Sequence, residues 1–361
     1  MTGPYIVPCI HFSTPPSGER LAQATKGLIE LLELFGSHAA SLVLFLPPAT
    51  LGGLDTATLS SIMALCKSGR LETGVTGATD AWLWALGSSG RKAQIVAAAE
   101  EHRRHLTRQP LGFLPRQQAL PDGLDTVLAR VGFRWVLVSS RALELGSPPA
   151  SLSAPVFFPS GLAAFGALPF VEARSQAPSA TLPPDAALLG ERPPILAVIA
   201  DAKDAAELLA WIGGRATMLP SKYLRRFPRH LCSVPLPLGG LDEHDDGPYA
   251  ACDALFMLRH LRHLEKALGK ATSRCKALVP APGLRQRALR QAVREALLAA
   301  CPDWPAERDG QAIFAKHVVH CLSLTNALLG NAALDPAFVA ALEEESAALF
   351  EDVDPFLFAG T

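Results

Sequence analysis

Six histidines are spaced so that they could share helix faces in pairs and bind a metal ion. Residues three apart lie on the same side of a helix, and this spacing occurs at His102/His105, His260/His263 and His317/His320. No HExxH motif or carboxylate-bearing site accompanies these pairs. Seven cysteines are scattered along the chain without a CxxC pair, which is typical of reduced core thiols. We therefore predict solvated or capping histidines, with no metal and no other cofactor.

Polar side chains also stand at the ends of short apolar runs that have the character of buried strands. His11 lies in the run 5–12, Ser139 ends another run, and Asp201 follows the run 195–200. These runs alternate with amphipathic stretches whose apolar residues recur at helical intervals, a pattern typical of βα units around a parallel sheet. The pattern predicts an α/β barrel whose strand ends line a cleft.

The character of the chain changes twice along its length. Residues 145–194 are rich in Pro, Ser, Ala and Gly, and we predict that this stretch wraps the barrel mostly as irregular structure, with short strand candidates at 156–158 and 167–171. From residue 249 onward the periodicity is consistently helical. We therefore predict a barrel over residues 1–248 and a helical C-terminal subdomain over residues 249–361.

Composition limits the classes of function. The 361 residues include 33 Lys and Arg against 34 Asp and Glu, a formal net charge of -1. With 49% hydrophobic and 19% charged residues, the chain is not a disordered polyelectrolyte, and it offers no global field for nucleic acid. Apolar runs are interrupted before the roughly 20 residues that a membrane span requires. No signal-peptide pattern opens the sequence, and we expect a cytoplasmic protein without a membrane partner.

Several segments in order resemble glycoside hydrolase family 57, a family of retaining α-glucan enzymes. Residues 112–121, GFLPRQQALP, together with 124–139, are similar to the family's GxWLPExxxxP region and the strand after it. Residues 219–224, LPSKYL, resemble TPSEYL. Residues 297–305, LLAACPDWP, and 350–358, FEDVDPFLF, resemble LLxAQSSDWPF and FPDIDYRxF. The resemblance implies an incomplete (β/α)7 barrel with a helical C-terminal part.

The same resemblance implies that both catalytic carboxylates are replaced. A retaining glycosidase uses two carboxyl groups about 5–5.5 Å apart. The family's nucleophilic Glu falls on Arg116, and the Asp that acts as acid/base falls on Ser139. A guanidinium is permanently charged and cannot act as a nucleophile. We therefore expect a catalytically inactive relative, a pseudoenzyme.

Further family positions predict the residues of a ligand-binding cleft. The HxHxP motif keeps His11 but has Ser13 in its second histidine position, and the DxE motif becomes Asp201-Ala-Lys203. Glu72 is retained at a strand end, where it could pair with Arg116 or Lys203. Asp303 and Trp304 match the family's Asp-Trp pair, whose indole stacks on a glucose ring. Trp304 could equally pack the two subdomains together.

Three functions remain open. The first is a pseudoenzyme that binds a carbohydrate, either an α-glucan or, through Arg116 and Lys203, an anionic sugar, or that serves as a partner subunit, with a homo-oligomer also open. The second is an active hydrolase or glucanotransferase with displaced carboxylates, drawn from Glu72, Asp122, Glu144, Asp201 and Asp303. The third is a protein-interaction scaffold with a filled cleft, docking through residues 145–194 or through helix residues 259–266.

Overall fold

A computed structural model describes residues 4–12, 18–145, 153–175, 193–228, 255–277, 283–345 and 349–359. The chain forms two compact units. The barrel unit comprises Met1–Thr76 and His102–Leu241, and the helical unit comprises Gly77–Glu101 and Asp242–Thr361. The boundary between the barrel unit and the C-terminal part of the helical unit thus lies near residue 241. The segment Gly77–Glu101 clusters with the C-terminal helices, although the sequence analysis expected it to belong to the barrel.

The barrel unit contains a closed ring of seven parallel strands. The strands are β1 Tyr5–His11, β2 Leu42–Phe45, β3 Leu71–Val75, β4 Gly112–Phe113, β5 Trp135–Ser139, β6 Val156–Phe157, β7 Ala163–Pro169 and β8 Ile195–Asp201. The order around the ring is β5-β4-β3-β2-β1-β8-β7, and β7 pairs with β5 to close it. The short β6 lies outside the ring, antiparallel to β7. The predicted seven-stranded barrel is confirmed.

Helices connect the strands and build the helical unit. In chain order they are α1 Gly18–Gly36, α2 Pro48–Gly52, α3 Thr56–Lys67, α4 Ser88–Leu106, α5 Leu124–Val131, α6 Ser140–Glu144, α7 Phe170–Ser175, α8 Ala205–Ile212, α9 Pro220–Arg226, α10 Leu255–Ala277, α11 Leu284–Ala299, α12 Gly310–Leu328 and α13 Pro336–Glu345. Short 3-10 turns occupy Leu83–Ala85, Arg116–Gln118 and Ala202–Asp204. Among the described residues, no helix combines the length and the apolar character that crossing a membrane would require.

Strand alternation creates two apolar cores in the barrel unit. Successive side chains of a strand point to opposite faces, so Val7 and Cys9 of β1 pack in the barrel interior, whereas Ile6 and Ile10 pack against the surrounding helices. Aromatic rings fill the interior: the Trp135 ring lies 5.7 Å from Phe45, in an edge-to-face arrangement. The ring of strands is therefore a packed core, and open space for a ligand has to lie at a strand end.

Glycine at β4 is required by this interior packing. Gly112 lies directly against the indole of Trp135, and a Cβ atom added at Gly112 would overlap that ring. The glycine at the start of the GFLPR segment therefore lets the backbone of β4 approach Trp135 of β5.

The stretch 145–194 contributes more to the barrel than its composition indicated. It includes β7, which pairs with both β5 and β8. The strand candidate 167–171 overlaps only the end of β7, because the sequence AAFGALP contains several small residues with low strand propensity. Those small residues fit where the strand is buried on both faces. Residues 146–152 and 176–192 of this stretch lie outside the described residues.

The thiols match the expectation for the described part of the chain. Cys9, Cys66, Cys275, Cys301 and Cys321 are free cysteines, and all but Cys275 are buried. Burial raises the pKa of the Cys9 and Cys321 thiols well above the usual range, because a thiolate is poorly solvated in an apolar interior. Cys9 and Cys321 therefore have the burial and the raised pKa that are typical of packing residues.

Candidate functional site

A cavity of about 450 Å³ lies at the carboxyl ends of the barrel strands. Its first wall is the segment Pro115–Gln118, which follows β4, and its second wall carries Asp201 and Asp204 from the end of β8. His11, at the end of β1, and an apolar surface at Pro169–Val171 complete the lining. Loops at the carboxyl ends of parallel strands are where barrels place ligands, and this cavity is the candidate site.

His11 and Asp201 stand side by side because β1 and β8 pair in register, with these two residues as Cα partners. His11 Nδ1 lies 4.0 Å from Asp201 Oδ1. The imidazole is mostly covered, with 14% of its side chain exposed, whereas the carboxylate is 63% exposed. At this corner of the cavity, a ligand can therefore reach the carboxylate of Asp201, which lies beside the mostly buried imidazole of His11.

The first wall has an unusual backbone. Gln117 and Gln118 have φ angles of 53° and 57°, in the left-handed region. Two overlapping turns hold them there: Gln118 N donates to Pro115 O at 2.8 Å, and Ala119 N donates to Arg116 O at 3.3 Å. Glycine or asparagine usually occupies such positions, and a non-glycine residue there costs about 1–3 kcal/mol. The wall is thus strained where it borders the cavity.

Three of the predicted cleft residues come together in this cavity. His11, Arg116 and Asp201 all line it. Lys203 does not: it is an exposed residue of the turn Ala202–Asp204, and Asp204 takes the place at the cavity wall. Ser139 ends β5 and, by strand alternation, faces the same side as the interior residue Leu137.

Glu72 has a different position from the one that its sequence context indicated. It is the second residue of β3, three residues before the strand's carboxyl end, and it is buried. Trp135 Nε1 donates to Glu72 Oε1 at 2.7 Å, and Ser221 Oγ donates to Glu72 Oε2 at 2.6 Å. Burial raises the pKa of the Glu72 carboxyl, and the hydrogen bonds from Ser221 and Trp135 oppose that rise. The carboxyl group ties β3 to β5 and α9 inside the barrel and does not line the cavity.

The other carboxylates considered for displaced catalysis are dispersed. Asp122 and Glu144 are exposed and do not border the cavity. Asp303 belongs to the helical unit, where it lies within hydrogen-bond range of the Cys301 thiol, with 3.8 Å between Cys301 Sγ and Asp303 Oδ2. Asp201 is therefore the member of that group that reaches the cavity, and Asp204, which the sequence did not single out, joins it.

Trp304 is buried in the structure, with 3% of its surface exposed. Its indole Nε1 donates to the Leu298 carbonyl at 2.8 Å. Its ring stacks on the imidazole of His317, with 6.1 Å between centroids and an interplanar angle of 27°. Both the polar tip and one ring face of Trp304 therefore have partners within the helical unit, as expected of a packing residue.

The helical unit also contains a carboxylate shared by two histidines. Glu295 Oε2 lies 2.7 Å from His317 Nδ1 and 3.4 Å from His320 Nδ1. Burial lowers the pKa of His320, and the Glu295 carboxylate acts in the opposite direction. The expectation of solvated or capping histidines is wrong for this pair. Across the described residues, no group of His, Cys, Asp and Glu side chains has an arrangement that could hold a metal ion.

His102 also differs from the expectation. It is fully buried, its Nδ1 lies 3.0 Å from the Arg108 carbonyl, and its Nε2 lies 2.9 Å from Thr73 Oγ1. A carbonyl can only accept, so Nδ1 carries the proton and Nε2 accepts from the threonine hydroxyl. The neutral imidazole joins the last turn of α4 to β3.

Sequence reasoning missed Gln117, Gln118 and Asp204 as cavity residues. Gln117 and Gln118 directly follow Arg116, and Asp204 lies three residues after Asp201, so proximity to predicted site residues was the available signal. The direction of these side chains depends on the left-handed turn after β4 and on the 3-10 turn after β8. Neither turn produces a periodic pattern in the sequence from which it could be predicted.

Comparison with known families identifies two segments. The family model for glycosyl hydrolase family 57 matches residues 52–166. A model described as 1,4-alpha-glucan branching enzyme, C-terminal, matches residues 263–358. The chain is therefore similar to glycoside hydrolase family 57 over residues 52–166 and to a branching-enzyme C-terminal region over residues 263–358. A search of curated proteins gives no match.

Solved structures of two GH57 branching enzymes and an α-amylase share the fold over nearly the entire chain. The GH57-type branching enzyme of Pyrococcus horikoshii superposes with a TM-score of 0.81 at 15% identity, covering 99% of this chain and 97% of that one. The α-amylase AmyC of Thermotoga maritima gives a TM-score of 0.80 at 14% identity, with 100% of each chain covered. The GH57 branching enzyme of Thermococcus kodakaraensis gives 0.80 at 15% identity, covering 99% and 96%. The predicted resemblance to glycoside hydrolase family 57 and the predicted fold are confirmed.

Proposed function

We propose that this protein binds an α-glucan in the cavity at the carboxyl end of its barrel and does not hydrolyse it. The observation that carries the proposal is the identity of the cavity walls. Arg116 occupies the wall after β4, at the position where the family resemblance places the nucleophile. Among the described lining residues, the carboxylates are Asp201 and Asp204, which both come from one segment.

Retaining hydrolysis needs carboxyl groups on both sides of the scissile bond. One attacks the anomeric carbon while the other donates a proton, and the transition state resembles an oxocarbenium ion. A guanidinium at Arg116 cannot attack, and its permanent charge disfavours a developing cation nearby. With both cavity carboxylates on the β8 side, the wall that would supply the nucleophile presents a cation and two amides.

The lining suits a sugar. The volume of about 450 Å³ falls within the roughly 300–1,000 Å³ of small-molecule sites. Carboxylates and amides can hydrogen-bond hydroxyl groups, and the Pro169–Val171 surface offers an apolar contact for a pyranose face. We choose an α-glucan because the structural relatives are named as branching enzymes and an α-amylase. The free thiols fit the reducing cytoplasm, which is the compartment that we propose.

An active hydrolase is the second candidate, because Asp201 and Asp204 both border the cavity. It requires these two carboxyls to act as a pair. A scaffold with a filled cleft is not favoured, since the cavity is large enough for a ligand.

The test measures binding and turnover on the same preparation. We expect maltoheptaose to bind by calorimetry, and no sugar to be released from glycogen, amylose or an aryl α-maltoside. The Asp201→Asn variant removes a lining carboxylate and should weaken binding. The matched control is Glu144→Gln, which neutralises an exposed carboxylate outside the cavity and should bind like the wild type.

Two results would overturn the proposal. Turnover that is lost in Asp201→Asn or Asp204→Asn but kept in Glu144→Gln would establish the active hydrolase. Absence of maltoheptaose binding would remove the α-glucan as ligand. Binding of glucose 6-phosphate or glucuronate in its place, abolished by Arg116→Ala, would assign the cavity to an anionic sugar.

A further inference from the structure

The strained turn after β4 lies on the wall of the cavity. Among the described residues, Gln117 and Gln118 are two consecutive non-glycine residues that both have left-handed backbone. The other non-glycine residues of this kind are single: Asp80, Thr107 and Phe350. Both glutamines line the cavity, and both side chains are partly exposed.

Glycine would make the same turn without the steric conflict between Cβ and the backbone. The two glutamines therefore add strain to the turn and, in return, bring two glutamine side chains into the lining of the cavity. A carboxamide donates through its NH2 and accepts through its oxygen. The Oε1 atom of Gln117 is buried, so Gln117 can offer its NH2 to a sugar hydroxyl, whereas the carboxamide of Gln118 can both donate to and accept from a neighbouring hydroxyl.

We infer that Gln117 and Gln118 are ligand-binding residues that recognise the hydroxyl groups of the bound carbohydrate, and that their left-handed backbone presents both carboxamides to it. This inference rests on the proposed function. It adds a specificity-determining role to a pair of residues that lie beyond the position of the lost nucleophile. The opposite wall, with Asp201 and Asp204, provides acceptors for hydroxyls on the far side of the ligand.

The experiment separates the side chain from the backbone by comparing alanine with glycine. Gln117→Ala and Gln118→Ala remove the carboxamide and keep a residue that is strained at positive φ. Gln117→Gly and Gln118→Gly remove the carboxamide and relieve the strain. Maltoheptaose affinity is measured by calorimetry, and the thermal unfolding midpoint is measured for the same samples.

We expect all four variants to bind maltoheptaose about tenfold more weakly per lost carboxamide. Each glycine variant should unfold about 2–4 °C above its alanine counterpart. The matched control is Thr107, an exposed residue with φ of 50° that does not line the cavity. Thr107→Gly and Thr107→Ala should show the same order of stability and wild-type affinity.

Three outcomes would contradict the inference. If the wild type binds and all four variants bind equally well, the glutamines are not ligand-binding residues, while the proposed function stands. If only the glycine variants lose affinity, backbone geometry and not the carboxamides is responsible. If the wild type does not bind maltoheptaose, the proposed function fails, and the inference fails with it.

Discussion

Acidification should destabilise the barrel unit through His102. The imidazole is fully buried, and this burial lowers its pKa from 6.5 to about 4. In the unfolded chain the ring takes up a proton as the pH falls below about 6.5. In the folded protein it stays neutral until the pH approaches about 4. The unfolded state therefore binds more protons between these values, and stability falls as the pH falls.

The magnitude follows from the size of the shift. Each pKa unit corresponds to about 1.4 kcal/mol, so the shift of His102 amounts to about 3 kcal/mol of unfolding free energy lost between pH 7 and pH 4. Glu72 acts in the opposite direction: its pKa is raised by burial, so its contribution to stability decreases as the pH rises above the usual range of a glutamate. A comparison between variants cancels this opposing effect.

The assay is urea unfolding of the wild type and the His102→Gln variant between pH 4 and pH 7. A glutamine can still bond Thr73 and the Arg108 carbonyl but does not titrate. We expect the advantage of wild type over variant to shrink by about 3 kcal/mol from pH 7 to pH 4. Thr73→Ser, which keeps the hydroxyl, should retain the wild-type profile. Parallel profiles for wild type and His102→Gln would refute the reasoning.

Three further variants test the packing and electrostatics described above. Glu72→Leu should lower the unfolding free energy by about 1–3 kcal/mol, because it leaves buried donors on Trp135 and Ser221 unpaired; Glu72→Gln should be much milder by urea unfolding. Gly112→Ala should cost about 1–3 kcal/mol in the same assay, since its Cβ would overlap the Trp135 ring. Glu295→Gln should lower the pKa of His320 further in an NMR titration, because the Glu295 carboxylate raises it.

The carbohydrate predictions and the stability predictions are independent. Loss of glucan binding in the cavity variants would leave the pH dependence of His102 unchanged, because His102 does not line the cavity. Conversely, a refuted His102 profile would say nothing about Arg116 or the glutamines. Each set of measurements therefore addresses its own part of the molecule.

The fold was largely predictable because barrel strands and amphipathic helices leave periodic patterns in sequence. The strand β8 stood out as a continuous apolar run, ILAVIAD. The strand β7 was identified only at its end, within the candidate 167–171, because its small residues gave it the composition of a loop. The grouping of Gly77–Glu101 with the C-terminal helices was also hidden, since contacts between distant segments leave no periodic signal.

The candidate site was predictable residue by residue but not as an arrangement. His11, Arg116 and Asp201 were identified from strand ends and motif positions, and they do share one cavity. Glu72 was placed near the cleft because it matches a family position and because the sequence indicated that it ends a strand. Its register in β3 instead puts it three residues from the carboxyl end, bonded to Trp135.

The amino-acid sequence by itself determined the resemblance to family 57, the alternation of strands and helices, and the presence of arginine where that resemblance places a carboxylate. These are properties of residue type and of spacing along the chain. Only the tertiary structure decided which polar side chains meet, that Trp304 is buried against His317, and that Gln117 and Gln118 adopt left-handed backbone. Those features arise from strand register, barrel closure and the competition for buried space, which depend on contacts between residues far apart in sequence.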